Sequence, residues 1–135
     1  MSHDPTDPTF LFLVSMTYMI TADSDVDERE LVSMYNVLKH TSDNPREDAA
    51  FAMRYGLQHP LDDFLADASQ HLTGDQKLHI LANLLEVLYA DGVVAPEEME
   101  LFDQFCKGFQ ADEDEVLTLM RAAHIRHNHS VLQDG

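Results

Sequence analysis

The sequence carries one short acidic pattern twice. Ala22-Asp23-Ser24-Asp25-Val26-Asp27-Glu28-Arg29-Glu30 and Ala90-Asp91-Gly92-Val93-Val94-Ala95-Pro96-Glu97-Glu98 superpose at an offset of 68 residues, which pairs Asp23 with Asp91, Val26 with Val94 and Glu30 with Glu98. The apolar flanks keep the same offset: Leu13 pairs with Leu81, Met16 with Leu84, Ile20 with Leu88, Leu31 with Met99, Met34 with Phe102 and Val37 with Phe105. Two copies of a helix, an acidic turn and a second helix constrain the fold strongly, because each helix has an apolar stripe that must be buried against another element.

The rest of the chain fits between and around these units. Residues 1–7 read as a polar leader, residues 8–127 as a single helical domain and residues 128–135 as a polar tail. Asp7 and Pro8 cap and open a helix that runs to about Ala22, with Phe12, Leu13, Met16, Met19 and Ile20 on one face. Asp27 and Glu30 form the aspartate version of a capping box for a second helix whose core face is Leu31, Met34, Tyr35 and Leu38. The turn cluster Thr41-Ser42-Asp43-Asn44-Pro45 starts a third over 46–58, which carries Ala49, Ala50, Met53 and Leu57. Pro60 begins a fourth with Leu61, Phe64, Leu65 and Ala68, broken at Thr73-Gly74.

A fifth helix over about 75–90 has the most apolar face, Leu78, Leu81, Leu84, Leu85 and Leu88, and is expected to be the central, most buried one. Pro96 starts a sixth with Met99, Phe102, Phe105 and Cys106 inward and Gly108 near its end. Asp112 or Asp114 caps a seventh with Val116, Leu119, Met120 and Ala123 as its stripe. No segment alternates with period two, so the sequence predicts an all-α, single-domain bundle of about seven helices.

Composition narrows the function. With 25 acidic residues against 8 Lys and Arg, the net charge is −17, and no basic stripe is available to neutralise phosphates, which argues against nucleic acid as a partner. The same field attracts divalent cations or a basic protein surface. The single Cys106 cannot form an internal disulfide and matches Leu38 in the other repeat, so it reads as a small core residue. The apolar run from Phe10 to Val14 is too short to span a bilayer and lacks basic flanks, so it reads as a buried helix of a cytoplasmic protein with no membrane insertion.

The acidic turns are the candidate site. Glu30 and Glu98 have an adequate explanation at the third helical position, where a carboxylate complements the helix dipole. Asp23 and Asp91 do not, because they follow helix C-termini, where a negative charge is disfavoured by about 0.3–1 kcal/mol. If the two repeats pack about a pseudo-twofold axis, Asp23, Glu30, Asp91 and Glu98 converge, and hard oxygen ligands in that number suit Ca²⁺, Mg²⁺ or Mn²⁺. Asp25 and Asp27 enrich the first turn. Its Asp-x-Asp-x-Asp start imitates an EF-hand loop, but Glu28 stands where that loop needs Gly and Met34 where it needs Glu. The metal set is therefore Asp23, Asp25, Asp27, Glu30, Asp91 and Glu98.

The doubled Ala-Asp-(Gly/Ser)-x-Val-x-x-x-Glu pattern, in an acidic all-α chain of this length, resembles the tellurite-resistance TerB-like superfamily. The resemblance implies a seven-helix fold and a metal-related or stress-response role. The same domain type occurs beside a J-domain in a membrane-anchored co-chaperone, where it would serve as an interaction module; this sequence has no J-domain motif. It departs from the pattern at Ser24, where Gly is usual, which implies a looser first turn.

Other chemistry is thinly represented. His124, His127 and His129 decorate the end of the last helix, where positive charge suits the dipole, with adventitious zinc or nickel binding as the lesser outcome. No phosphate-binding glycine loop, nucleophile elbow or His-Glu-x-x-His pair is present. The sequence therefore points to a non-enzymatic domain that binds a divalent cation at its paired turns. The rival is an acidic module that docks a basic protein partner without metal, and it predicts an exposed apolar patch beside the acid.

Overall fold

Proline and short polar side chains set the helix starts. In the computed structural model, which describes residues 4–22, 43–89 and 94–128 together with Asn36, Lys39 and Leu132, six helices are formed by the described residues. They are α1 (Pro8–Ile20), α2 (Pro45–Gln58), α3 (Leu61–His71), α4 (Gly74–Tyr89), α5 (Pro96–Gly108) and α6 (Glu113–His127), and no strand occurs among the described residues. The all-α class expected from the periodicity holds. The second helix expected from Asp27 lies outside the described residues, apart from Asn36 and Lys39, which are helical.

The caps follow ordinary chemistry. The Asp7 side chain accepts from the Thr9 amide, Asn44 from Glu47 and Asp112 from Glu115, while Pro8, Pro45 and Pro96 occupy first-turn positions. Such caps satisfy donors that no helical carbonyl can reach. Thr73, expected as a breaker, also begins α4. Its hydroxyl accepts from the Gln76 amide at 3.1 Å, and the Gln76 side chain accepts from the Thr73 amide at 2.8 Å, a reciprocal capping box.

The central helix is α1, which corrects the expectation that α4 would hold that place. Every residue from Phe10 to Thr17 is buried, and α1 packs against α2, α3, α4 and α5. Its serine and threonines look like surface residues, but they are satisfied within the helix. Ser15 donates to the Leu11 carbonyl at 2.8 Å and Thr17 to the Val14 carbonyl at 2.7 Å, so neither needs water. α4 buries six residues, Ile80, Leu81, Leu84, Leu85, Val87 and Leu88. It is the second support of the bundle, carrying α5 and α6.

Aromatic rings join the layers. Phe10 meets Tyr55 edge-on at 5.4 Å, Tyr18 meets Phe64 at 5.3 Å, and Phe64 meets Phe105 at 6.5 Å. Tyr18 donates to the His59 carbonyl at 2.6 Å, and burial, with a smaller effect of Tyr55, pushes its phenol up to about 12. Leu57, one of the apolar residues that pointed to this helix, is 79% exposed. α2 instead turns Ala52 inward, with Phe51 and Tyr55 packed against the core.

The join between α5 and α6 is tight. Gln110 takes a positive φ of 53°, its amide bonds the Lys107 carbonyl, and the Ala111 amide bonds the Cys106 carbonyl at 3.0 Å, the two bonds of a Schellman cap. Gly108, expected near this helix end, is its last residue and has a packing role. A Cβ there would lie 2.7 Å from Leu65 Cδ1 and 2.8 Å from Leu65 Cβ, so glycine lets α5 close on α3. Gly108→Ala is expected to cost about 1–3 kcal/mol by overpacking, read as a lower urea midpoint at unchanged slope. Gly74→Ala, with nothing within 4 Å of the added Cβ, is expected to be neutral or stabilising by up to about 0.5 kcal/mol. Equal effects at the two sites would refute the close-approach explanation.

Candidate functional site

Both acidic turns leave helices of the core. α1 and α4 pack along each other, and their first turns lie together. The Phe12 ring sits 5.6 Å from that of His79, and Pro8 and Thr9 share a cavity with Leu72, Asp75 and Gln76. The two helices that lead into the turns thus start side by side. At the end of α1, the Thr21 amide and hydroxyl both bond the Thr17 carbonyl, at 3.1 and 2.8 Å, and the Ala22 amide bonds the Met19 carbonyl.

Of the six carboxylates singled out as metal ligands, Asp23, Asp25, Asp27, Glu30 and Asp91 lie outside the described residues, as does Gly92. Glu98 lies within them. It occupies the third position of α5, after Ala95 at the cap and Pro96 at the first position, as the repeat pattern requires. Its residue surface is only 3% exposed, which its spacing alone did not indicate. Among the described residues, no group of three or more His, Cys, Asp or Glu is placed to hold a metal ion.

The histidines at the end of the last helix have a different job from dipole decoration alone. Glu86, on α4, takes both an ion pair from Arg126 and a hydrogen bond with His127 Nε2 at 2.7 Å. Tyr89, one turn further on, stacks on the His127 ring at 6.1 Å and meets His124 edge-on at 6.4 Å. These contacts clasp the end of α6 to α4. His129 lies outside the described residues. A separation of 41 residues hid the Glu86–His127 pair from any local pattern; the helix-end position of His127 was the only signal.

Cys106 is not an activated thiol. Burial first, and then the Asp103 charge, push the Cys106 thiol up to about 11, so it is protonated at neutral pH. It packs against the core, as its match to Leu38 led one to expect. No helix among the described residues is long and apolar enough to cross a membrane.

A family model described as "Tellurite resistance protein TerB" matches residues 11–121. The match spans most of the chain and contains both acidic turns. No curated protein and no solved structure matches the chain.

The Glu86 clasp makes stability depend on pH. Burial works against the Glu86 charge, but the hydrogen bonds from His127 and Arg126 outweigh it and hold the carboxyl below its ordinary value of 4.5. A carboxylate depressed in the folded state stabilises fully above that ordinary value, and the contribution is lost as pH falls through the depressed one. The group is partly exposed, so after solvent screening the expected difference between wild type and Glu86→Gln at pH 7 is about 1 kcal/mol or less. Denaturant unfolding should show that gap closing below about pH 4. A gap independent of pH would assign the effect to packing.

Proposed function

We propose that this chain, which belongs to the tellurite-resistance TerB family, is a non-enzymatic cytoplasmic domain that binds a divalent cation at its paired acidic turns, in a stress or tellurite-resistance response. The observation that carries this function is the doubled acidic pattern inside the span that the family model matches: Asp23 and Glu30 recur as Asp91 and Glu98, in a chain of net charge −17. Such a field attracts divalent cations.

The donor set suits such an ion. All six residues offer hard carboxylate oxygens, the ligand type of Ca²⁺, Mg²⁺ and Mn²⁺ rather than of soft or imidazole-seeking metals. The contact between α1 and α4, which start side by side and lead into the two turns, also supports the pairing. Asp25 and Asp27 make the first turn the richer in ligands, while the second contributes Asp91 and Glu98.

Calorimetric titration with Ca²⁺, Mg²⁺ and Mn²⁺, with Zn²⁺ as the contrasting ion, tests the assignment. Saturable binding of a hard cation is expected, weakened roughly tenfold or more by either Asp91→Asn or Glu98→Gln because each removes a charged ligand. At about a hundred-fold excess over Kd, the bound ion should raise stability by about 2.7 kcal/mol. Absence of saturable binding, or binding indifferent to both substitutions, would refute the cation site.

A further inference from the structure

We propose that the groove between α5 and α6 docks a basic amphipathic helix from a partner protein. Both helices rest on α4, and between them lies an open cleft of about 610 Å³. Met99, Phe102 and Cys106 of α5 line one wall, and Val116 and Met120 of α6 line the other. The apolar surface of α6 is incompletely covered. Ala123 is its one buried residue, Val116, Leu119 and Met120 are half-buried, and Leu117 and Ile125 are 56% and 63% exposed.

The chemistry of the rim selects the occupant. Glu100, Asp103 and Glu113, all exposed, border the apolar floor. Lys107, the basic side chain lining this cleft, is paired with Asp103 at 3.0 Å, so the rim remains negative in a chain of net charge −17. A cleft between two helices accepts a third helix that lays an apolar stripe on the floor, and basic residues flanking that stripe meet the rim. Methionine on both walls allows the floor to adapt to the inserted side chains. A second copy of this chain is a poor occupant, because it would bring the same acid against the rim.

The test uses the full chain, in chelator so that the outcome is independent of any cation. The probe is a fluorescent Leu/Lys peptide of about 18 residues with leucine at helical spacing, long enough to become helical on binding. Saturable, salt-sensitive anisotropy is expected, together with shielding of Cys106, the single cysteine, from a maleimide. Neutralising the exposed rim with Glu100→Gln, Asp103→Asn and Glu113→Gln should weaken binding roughly tenfold while leaving the thermal transition in place. Met120→Glu should weaken it as well.

Three results would overturn the proposal. The same residues in scrambled order could bind equally well, which would mean charge attraction alone. Cys106 could stay equally reactive in the bound state, which would place the peptide elsewhere. Sedimentation could show a dimer of this chain that the peptide does not disrupt, which would assign the groove to self-association.

Discussion

The bundle depends on a helix that can be buried on every side. α1 achieves this because Ser15 and Thr17 return their hydroxyls to the carbonyls of Leu11 and Val14, leaving an essentially apolar cylinder. Each large side chain it buries contributes roughly 1.5–3 kcal/mol relative to exposure, and eight consecutive residues from Phe10 to Thr17 are buried. Close approach follows from the same smallness of surface detail. A Cβ at Gly56 would lie 3.2 Å from Thr17 Oγ1, so α2 lies close against α1 at that point.

α4 plays the complementary part. Its buried face is amphipathic rather than all-round, and its outer edge carries Glu86 and Tyr89, which hold α6 through Arg126 and His127. α6 is therefore fastened by its C-terminal end, and by the Schellman cap that links it to α5 at the other. Between those two attachments its stripe is thinly covered. The groove is a consequence of this arrangement: two helices share one support, and the short connection fixes the end of α5 and the start of α6 without closing the space between the helices.

Periodicity made most of the helices legible, because caps and apolar spacing are local properties. Asp7 and Pro96 could be read directly as starts, Asn44 as part of a turn cluster and Asp112 as one of two candidate caps. The rank of the helices was misread. Weighing single apolar faces favoured α4, whereas α1 is apolar all round, and a helix that is apolar all round is the one to be buried on every side. The residues that marked α2 as a helix did not show its inward face: Leu57 is exposed, and Phe51, Ala52 and Tyr55 meet the core. Gly108 marked the end of α5, but the left-handed residue that caps it is Gln110 and not a glycine. At the candidate site, the repeat located Glu98 and its place in α5, but burial is a tertiary property and had no signature in the spacing. The Glu86 clasp needed contacts across 41 residues and was likewise beyond any local pattern.

Glu98 and Met99 are neighbours in the first turn of α5, and this has a physical consequence for the two proposed sites. Glu98 turns toward the interior beside the acidic turn, and Met99 lines the groove. A short helix transmits displacement as a nearly rigid element, so any ligand that repositions this turn acts on both surfaces. Linkage then requires reciprocity: if a cation at the turn changes affinity for a helix in the groove, the helix changes affinity for the cation by the same factor. A cation would also reduce the negative potential that attracts a basic partner, so electrostatics alone gives the coupling a negative sign. Ordering of the α5 start would act in the opposite direction, by lowering the entropy lost when the groove is filled. The balance between those two effects, and not the strength of either site alone, would decide whether an acidic domain of this kind gathers both ligands or exchanges one for the other.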